Sequence, residues 1–154
     1  MIACATLLML APLVAIAAAM PGQADTGAPA GVYDASQAHV DYMLKCQGCH
    51  RPDGSGDDHS NPPLRAMVAR FLAVPGGRAF LGQVPGVATA NLDDRRLANL
   101  LNWTLRRFDP DHIPTNFRPY TPEELRDLRE NPLRLERAAT RARLVAGFVS
   151  APAR

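Results

Sequence analysis

Two cysteines one helical turn apart, closed by a histidine, constrain this chain more than any other feature: Cys46-Gln47-Gly48-Cys49-His50. The C-x-x-C-H spacing lets two thiols add to the two vinyl groups of one porphyrin, and it brings the adjacent imidazole beneath the metal. Three other uses of paired cysteines fit less well. A zinc site needs four ligands, and no second Cys/His pair has suitable spacing. A thioredoxin-type redox pair follows a strand in a βαβ pattern, whereas no convincing alternating strand is present. A structural disulfide here would close only a tiny loop. The expectation is one covalent haem c, joined through Cys46 and Cys49, with His50 as the proximal iron ligand.

The chain opens with MIACATLLMLAPLVAIAAAM, which carries no charge and reaches the roughly 20 apolar residues a membrane span needs. Small residues Ala17, Ala18 and Ala19, then the exit Gly22-Gln23-Ala24, predict a signal peptide over residues 1–24, cleaved on export. If it were retained, the segment would be a membrane anchor. No Lys or Arg precedes the run, unlike a strong signal, and Cys4 lies too early to be a lipid-attachment cysteine. The 154 residues leave room for one domain.

All 17 Lys and Arg and all 15 Asp and Glu follow Ala24, so the net charge of +2 belongs to the exported part, and no nucleic-acid partner is expected. The charge is uneven: residues 25–94 hold eight acids and five bases, residues 95–154 seven acids and twelve bases. That asymmetry either orients an acidic partner or marks a solvated arginine-rich surface.

Residues 25–33 read as a flexible lead-in. Asp34 with Gln37 predicts a helix start, and Val40, Met43 and Leu44 give that helix an apolar stripe running into Cys46. A Gly-rich loop, Arg51 to Gly56, follows. Leu64, Met67, Val68, Phe71 and Leu72 recur at helical spacing and end at Pro75-Gly76-Gly77. After a short apolar stretch, Ala79 to Val84, Asn91 is the expected cap of a helix whose stripe is Leu97, Leu100, Leu101, Thr104, Leu105 and Phe108. Thr121-Pro122-Glu123-Glu124 starts another helix, and Asn131-Pro132 opens a last one with a thin face of Leu135, Ala138, Ala142 and Val145. The fold class is all-α.

A helix running into C-x-x-C-H, a Gly-rich loop, and a later helix carrying Leu100-Leu101-Asn102-Trp103 resemble the class I c-type cytochromes of bacterial periplasms. The resemblance covers residues 34–108. It implies a small helical domain around one haem, with residues 109–154 as a helical C-terminal extension. It also implies an electron carrier rather than an enzyme, exchanging one electron with a periplasmic dehydrogenase or a membrane oxidase or reductase complex.

The family's second axial ligand is usually a methionine followed by proline, on a loop before the last helix. This chain departs there. If residues 92–108 are the last helix, the position falls near Val84-Pro85, and valine cannot bind iron; if residues 122–130 are, it falls at His112-Ile113-Pro114. The candidate distal ligands are therefore His112 and, as the alternative, Met67, which also suits plain packing. His39 and His59 are expected at the surface. An open sixth position would instead suit a five-coordinate haem that binds or reacts with nitric oxide, carbon monoxide or peroxide. Nine arginines from Arg106 to Arg143 raise a docking arm as a further role for residues 109–154, against an ordinary salt-bridged surface.

Overall fold

A computed structural model describes residues 29–57 and 60–150. The proposed signal segment with Cys4, the first part of the lead-in, and His59 lie outside the described residues. Among the described residues there is no strand, and no helix is long and apolar enough to cross a membrane.

Helix α1 (Ala35–Lys45) starts as expected: the Asp34 carboxylate accepts the Gln37 N–H at 2.8 Å. Its buried face corrects the expected stripe. Val40, Met43 and Leu44 are 41%, 43% and 70% exposed, while Ala38, Asp41 and Tyr42 are turned inward. Tyr42 wins that face because its ring packs on Trp103 and Phe108, with centroids 5.6 and 4.9 Å away. Asp41 is tolerated there because its carboxylate accepts hydrogen bonds from Arg96 and Gln37.

The helix packed across α1 is α5 (Asp94–Phe108), capped by Asp93 through the Arg96 N–H at 2.8 Å rather than by Asn91. Leu97, Leu100, Leu101, Leu105 and Phe108 are buried, as its stripe predicted. Two fully buried asparagines, one turn apart on α5, staple neighbouring chain to it. Asn99 accepts the N–H groups of Tyr33 and Asp34 and donates to Asp34 O; Asn102 accepts Tyr120 N–H and donates to Gly31 O and Tyr120 O.

Between these helices, α2 (Gln47–His50), α3 (Gly77–Gln83) and α4 (Pro85–Ala88) are short. The 64–72 stretch is not the regular helix its spacing suggested. It forms turns and a 3-10 segment, Ala69–Ala73. Ala66 takes φ +49, which an α-helix cannot absorb, and its N–H leaves the local ladder to donate to Phe108 O at 3.1 Å. Val68 and Phe71 are still buried, and Leu64, Met67 and Leu72 pack partly buried against the core, so the apolar residues were read correctly and their periodicity was not.

The C-terminal extension packs into the same core. Helix α6 (Pro122–Arg129) begins as predicted, with Thr121 Oγ1 accepting Glu124 N–H and Pro122 in the first turn. It lies against α3, α4 and α5, with Leu125 fully buried. Arg78 of α3 forks onto both Glu124 oxygens at 2.6 Å and also donates to the carbonyls of Arg118 and Pro119. In α7 (Arg137–Ala146) the buried residue is Leu144, and Leu135 is 92% exposed.

Candidate haem-attachment site

The three donors read from the sequence stand on one turn. Helix α1 closes as Cys46 N–H donates to Tyr42 O at 2.9 Å, and α2 restarts at once, with Cys49 N–H and His50 N–H both donating to Cys46 O. Both thiols are free; Cys46 is half-buried and Cys49 exposed. Burial, reinforced by the Asp41 carboxylate, pushes the Cys46 thiol up to about 11, so it stands as S–H rather than thiolate.

His50 is oriented from behind. Its Nδ1 lies 3.1 Å from Pro62 O, and because a carbonyl only accepts, Nδ1 must carry the proton and Nε2 is left as the free lone pair. Burial pushes the ring's pKa down, against an opposing pull from that hydrogen bond, which favours the neutral, metal-binding form. A backbone acceptor paired with the imidazole in this way fixes its tautomer, as outer-shell partners do at metal sites.

The loop behind His50 is tied to its own backbone. Arg51 sits at φ 62, held as Tyr42 O–H donates to its carbonyl at 2.6 Å. Gly56 N–H donates to His50 O, and Gly54 O accepts Leu64 N–H at 2.8 Å. Gly54 takes φ +74, and a Cβ there would stand 2.5 Å from Phe108 Cδ1, so only glycine lets the loop reach α5.

The candidate distal ligands Met67 and His112 make their hydrogen bonds to other parts of the chain. Met67 is partly buried against the core, and its N–H donates to Leu64 O. His112 ends a 3-10 turn, Pro110–His112, with its Nδ1 2.5 Å from Asp109 Oδ1; the buried Asp109 also accepts Ala69 N–H at 2.8 Å. His39 is exposed and stacks on Trp103 at 5.6 Å. Among the described residues, no cluster of three or more His, Cys, Asp and Glu side chains is arranged to hold a bare metal ion.

Comparison with known proteins decides the family. No family model matches the chain. The curated cytochrome c-552 of Thermus thermophilus is 33% identical over 107 residues, covering 58% of this chain and 82% of its own length. Cytochrome c-552 of a named strain of the same species matches at 33% identity over 107 residues, 58% of this chain and 72% of its own length. The chain belongs to the class I c-type cytochromes.

Membership implies haem c and, in outline, an electron-transfer role. The residues of this cytochrome fit the group: two free thiols, an imidazole with Nε2 available, and one orphan. Arg70 Nε is buried with no partner among the described residues. A buried guanidinium nitrogen without an acceptor is costly, and a haem carboxylate is the kind of anion that would satisfy it. Sequence reasoning missed Arg70 and the Pro62 carbonyl, because neither carries a local signal that distinguishes it from any other arginine or proline.

Proposed function

We propose that this cytochrome carries one electron at a time on a single haem c. Each thiol, Cys46 and Cys49, adds its S–H across one vinyl group: sulfur bonds to one carbon, hydrogen goes to the other, and no oxidant is consumed. His50 holds the iron through Nε2. The haem, when bound, supplies an iron couple that accepts and releases one electron. The chain's own part is to fix the imidazole through Pro62 O, hold Cys46 partly buried against the core, and balance charge near Arg70.

The observation that carries this reading is the His50 Nδ1 to Pro62 O contact beside two free cysteines on the same turn. Redox partners would be a periplasmic dehydrogenase or a membrane oxidase or reductase, meeting the protein at the exposed Cys49 edge through a small, transient interface. Removal of residues 1–24 on export would place the carrier in the periplasm. Expression with a cytochrome c maturation system tests it. The purified chain should gain the mass of one haem, lose that gain when Cys46 and Cys49 are both replaced by alanine, and titrate as a one-electron couple. An unchanged mass with no Soret band refutes the reading.

A further inference from the structure

We propose that this cytochrome leaves the haem face opposite His50 to an exogenous ligand, a small neutral diatomic such as carbon monoxide or nitric oxide. The proposal rests on the haem attachment set out above.

The side chains able to bind haem iron are those of Met, His, Cys, Lys and Tyr, and from Val74 to Leu105 there is none. That stretch contains α3, α4 and nearly all of α5. The connector from α4 to the long helix α5, a few residues beyond Val84-Pro85, is only residues 89–93. It is also gripped: the Arg129 guanidinium donates to the carbonyls of Ala88, Ala90 and Leu92 at 3.1, 2.5 and 2.9 Å and to Asp94 Oδ1 at 3.0 Å. A segment so short and so held cannot swing a ligand anywhere.

The donors elsewhere among the described residues stand behind His50, are otherwise engaged, or lie exposed on α1. Pro62 O, bonded to His50 Nδ1, marks the wall behind the imidazole, and the chain leaving Pro62 is bound to that wall by Leu64 N–H to Gly54 O. Met67 rides on this segment. His112 is tied to it as well, through Asp109, which accepts both His112 Nδ1 and Ala69 N–H. His39 is stacked on Trp103, and the hydroxyls of Tyr42 and Tyr120 donate to the carbonyls of Arg51 and Arg78. Tyr33 packs under Arg95, while Met43 and Lys45 are exposed on α1.

The chemistry of the donor-free stretch selects the ligand class. From Phe80 to Ala88 the only polar side chain is Gln83, and no residue is charged. Peroxide turnover needs a positioned acid or base, which this stretch does not supply; a neutral diatomic needs only the iron and an apolar surround.

The test uses the matured, full-length holoprotein, its haem content first confirmed by mass. The dithionite-reduced protein should show a five-coordinate, high-spin spectrum, unchanged by His112→Ala or Met67→Ala. Carbon monoxide should bind with an observed rate that rises linearly over about a tenfold range of concentration, since no internal ligand must leave first. A six-coordinate, low-spin ferrous spectrum before any addition, or a rate that levels off with carbon monoxide, overturns the proposal. A chain that gains no haem mass refutes the attachment reading and this proposal together; one that gains the mass yet is low-spin refutes this proposal alone.

Discussion

Replacing Arg129 with methionine keeps the apolar stem of the side chain and removes the fork that grips the α4–α5 connector. Three carbonyls, Ala88, Ala90 and Leu92, lose a charged donor, and Asp94 loses its ion-pair partner at 3.0 Å. A hydrogen bond to a charged group is worth about 1.5–3 kcal/mol where the partner stays dry, and about 1 kcal/mol where water can replace it. The Arg129 side chain is 20% exposed and that of Asp94 32%, so water reaches part of this cluster. The lower value therefore applies to each carbonyl, and the ion pair adds less than about 1 kcal/mol. The expected loss is about 3 kcal/mol, which at ~2–4 °C per kcal/mol lowers Tm by roughly 6–12 °C. Thermal unfolding of the holoprotein by far-ultraviolet circular dichroism measures it. Lysine at the same position should recover only part of the loss, because a point charge cannot fork over several carbonyls. A loss under about 1 kcal/mol would refute the reasoning: the connector would then be held by its own turns, Ala90 N–H to Val87 O and Leu92 N–H to Ala90 O.

Three further outcomes follow from the same geometry. Asn102→Leu leaves Tyr120 N–H and the carbonyls of Gly31 and Tyr120 without their partner; it should destabilise by about 2–4 kcal/mol in urea unfolding, whereas a loss near zero would mean that water replaces the amide. Gly54→Ala sets a Cβ 2.5 Å from Phe108 at φ +74 and should cost at least about 2 kcal/mol by the same measurement. Burial raises the Tyr42 phenol from 10.0 to about 12 and raises Tyr120 further in the same direction. Because the folded values lie above the unfolded ones, each contribution is complete below pH 10; that of Tyr42 is lost as pH rises through about 12, and that of Tyr120 at still higher pH. Alkaline unfolding should therefore be blunted in Tyr42→Phe and Tyr120→Phe, and an identical pH profile in both variants would contradict the assignment.

What could be read from the sequence was local. The C-x-x-C-H run places Cys46, Cys49 and His50 on one turn whatever surrounds them, and the caps at Asp34 and Thr121 depend on residues three positions away. The α5 stripe was legible because a fifteen-residue helix averages over its neighbours. Two readings failed where tertiary partners outweighed periodicity. On α1, the aromatic contacts of Tyr42 and the Arg96 partner of Asp41 turned an apolar stripe outward. In the 64–72 stretch, the pull of Phe108 O on Ala66 N–H broke a helix that spacing alone supported. The Pro62 carbonyl, the Arg70 orphan and the Arg129 grip are acts of distant chain segments, and nothing in a linear pattern announces them.

Leu125, with no exposed surface, and Leu144, with 5%, bear on how this cytochrome can be dissected. A shortened form ending at Phe108 would not be a pared-down carrier. It would bare one side of α5 and strand Arg78 without Glu124, so any functional defect would report misfolding rather than a lost contact. The arginine surface of the C-terminal third is thus best interrogated one charge at a time, at solvent-facing sites such as Arg134 and Arg137, with the polypeptide otherwise whole.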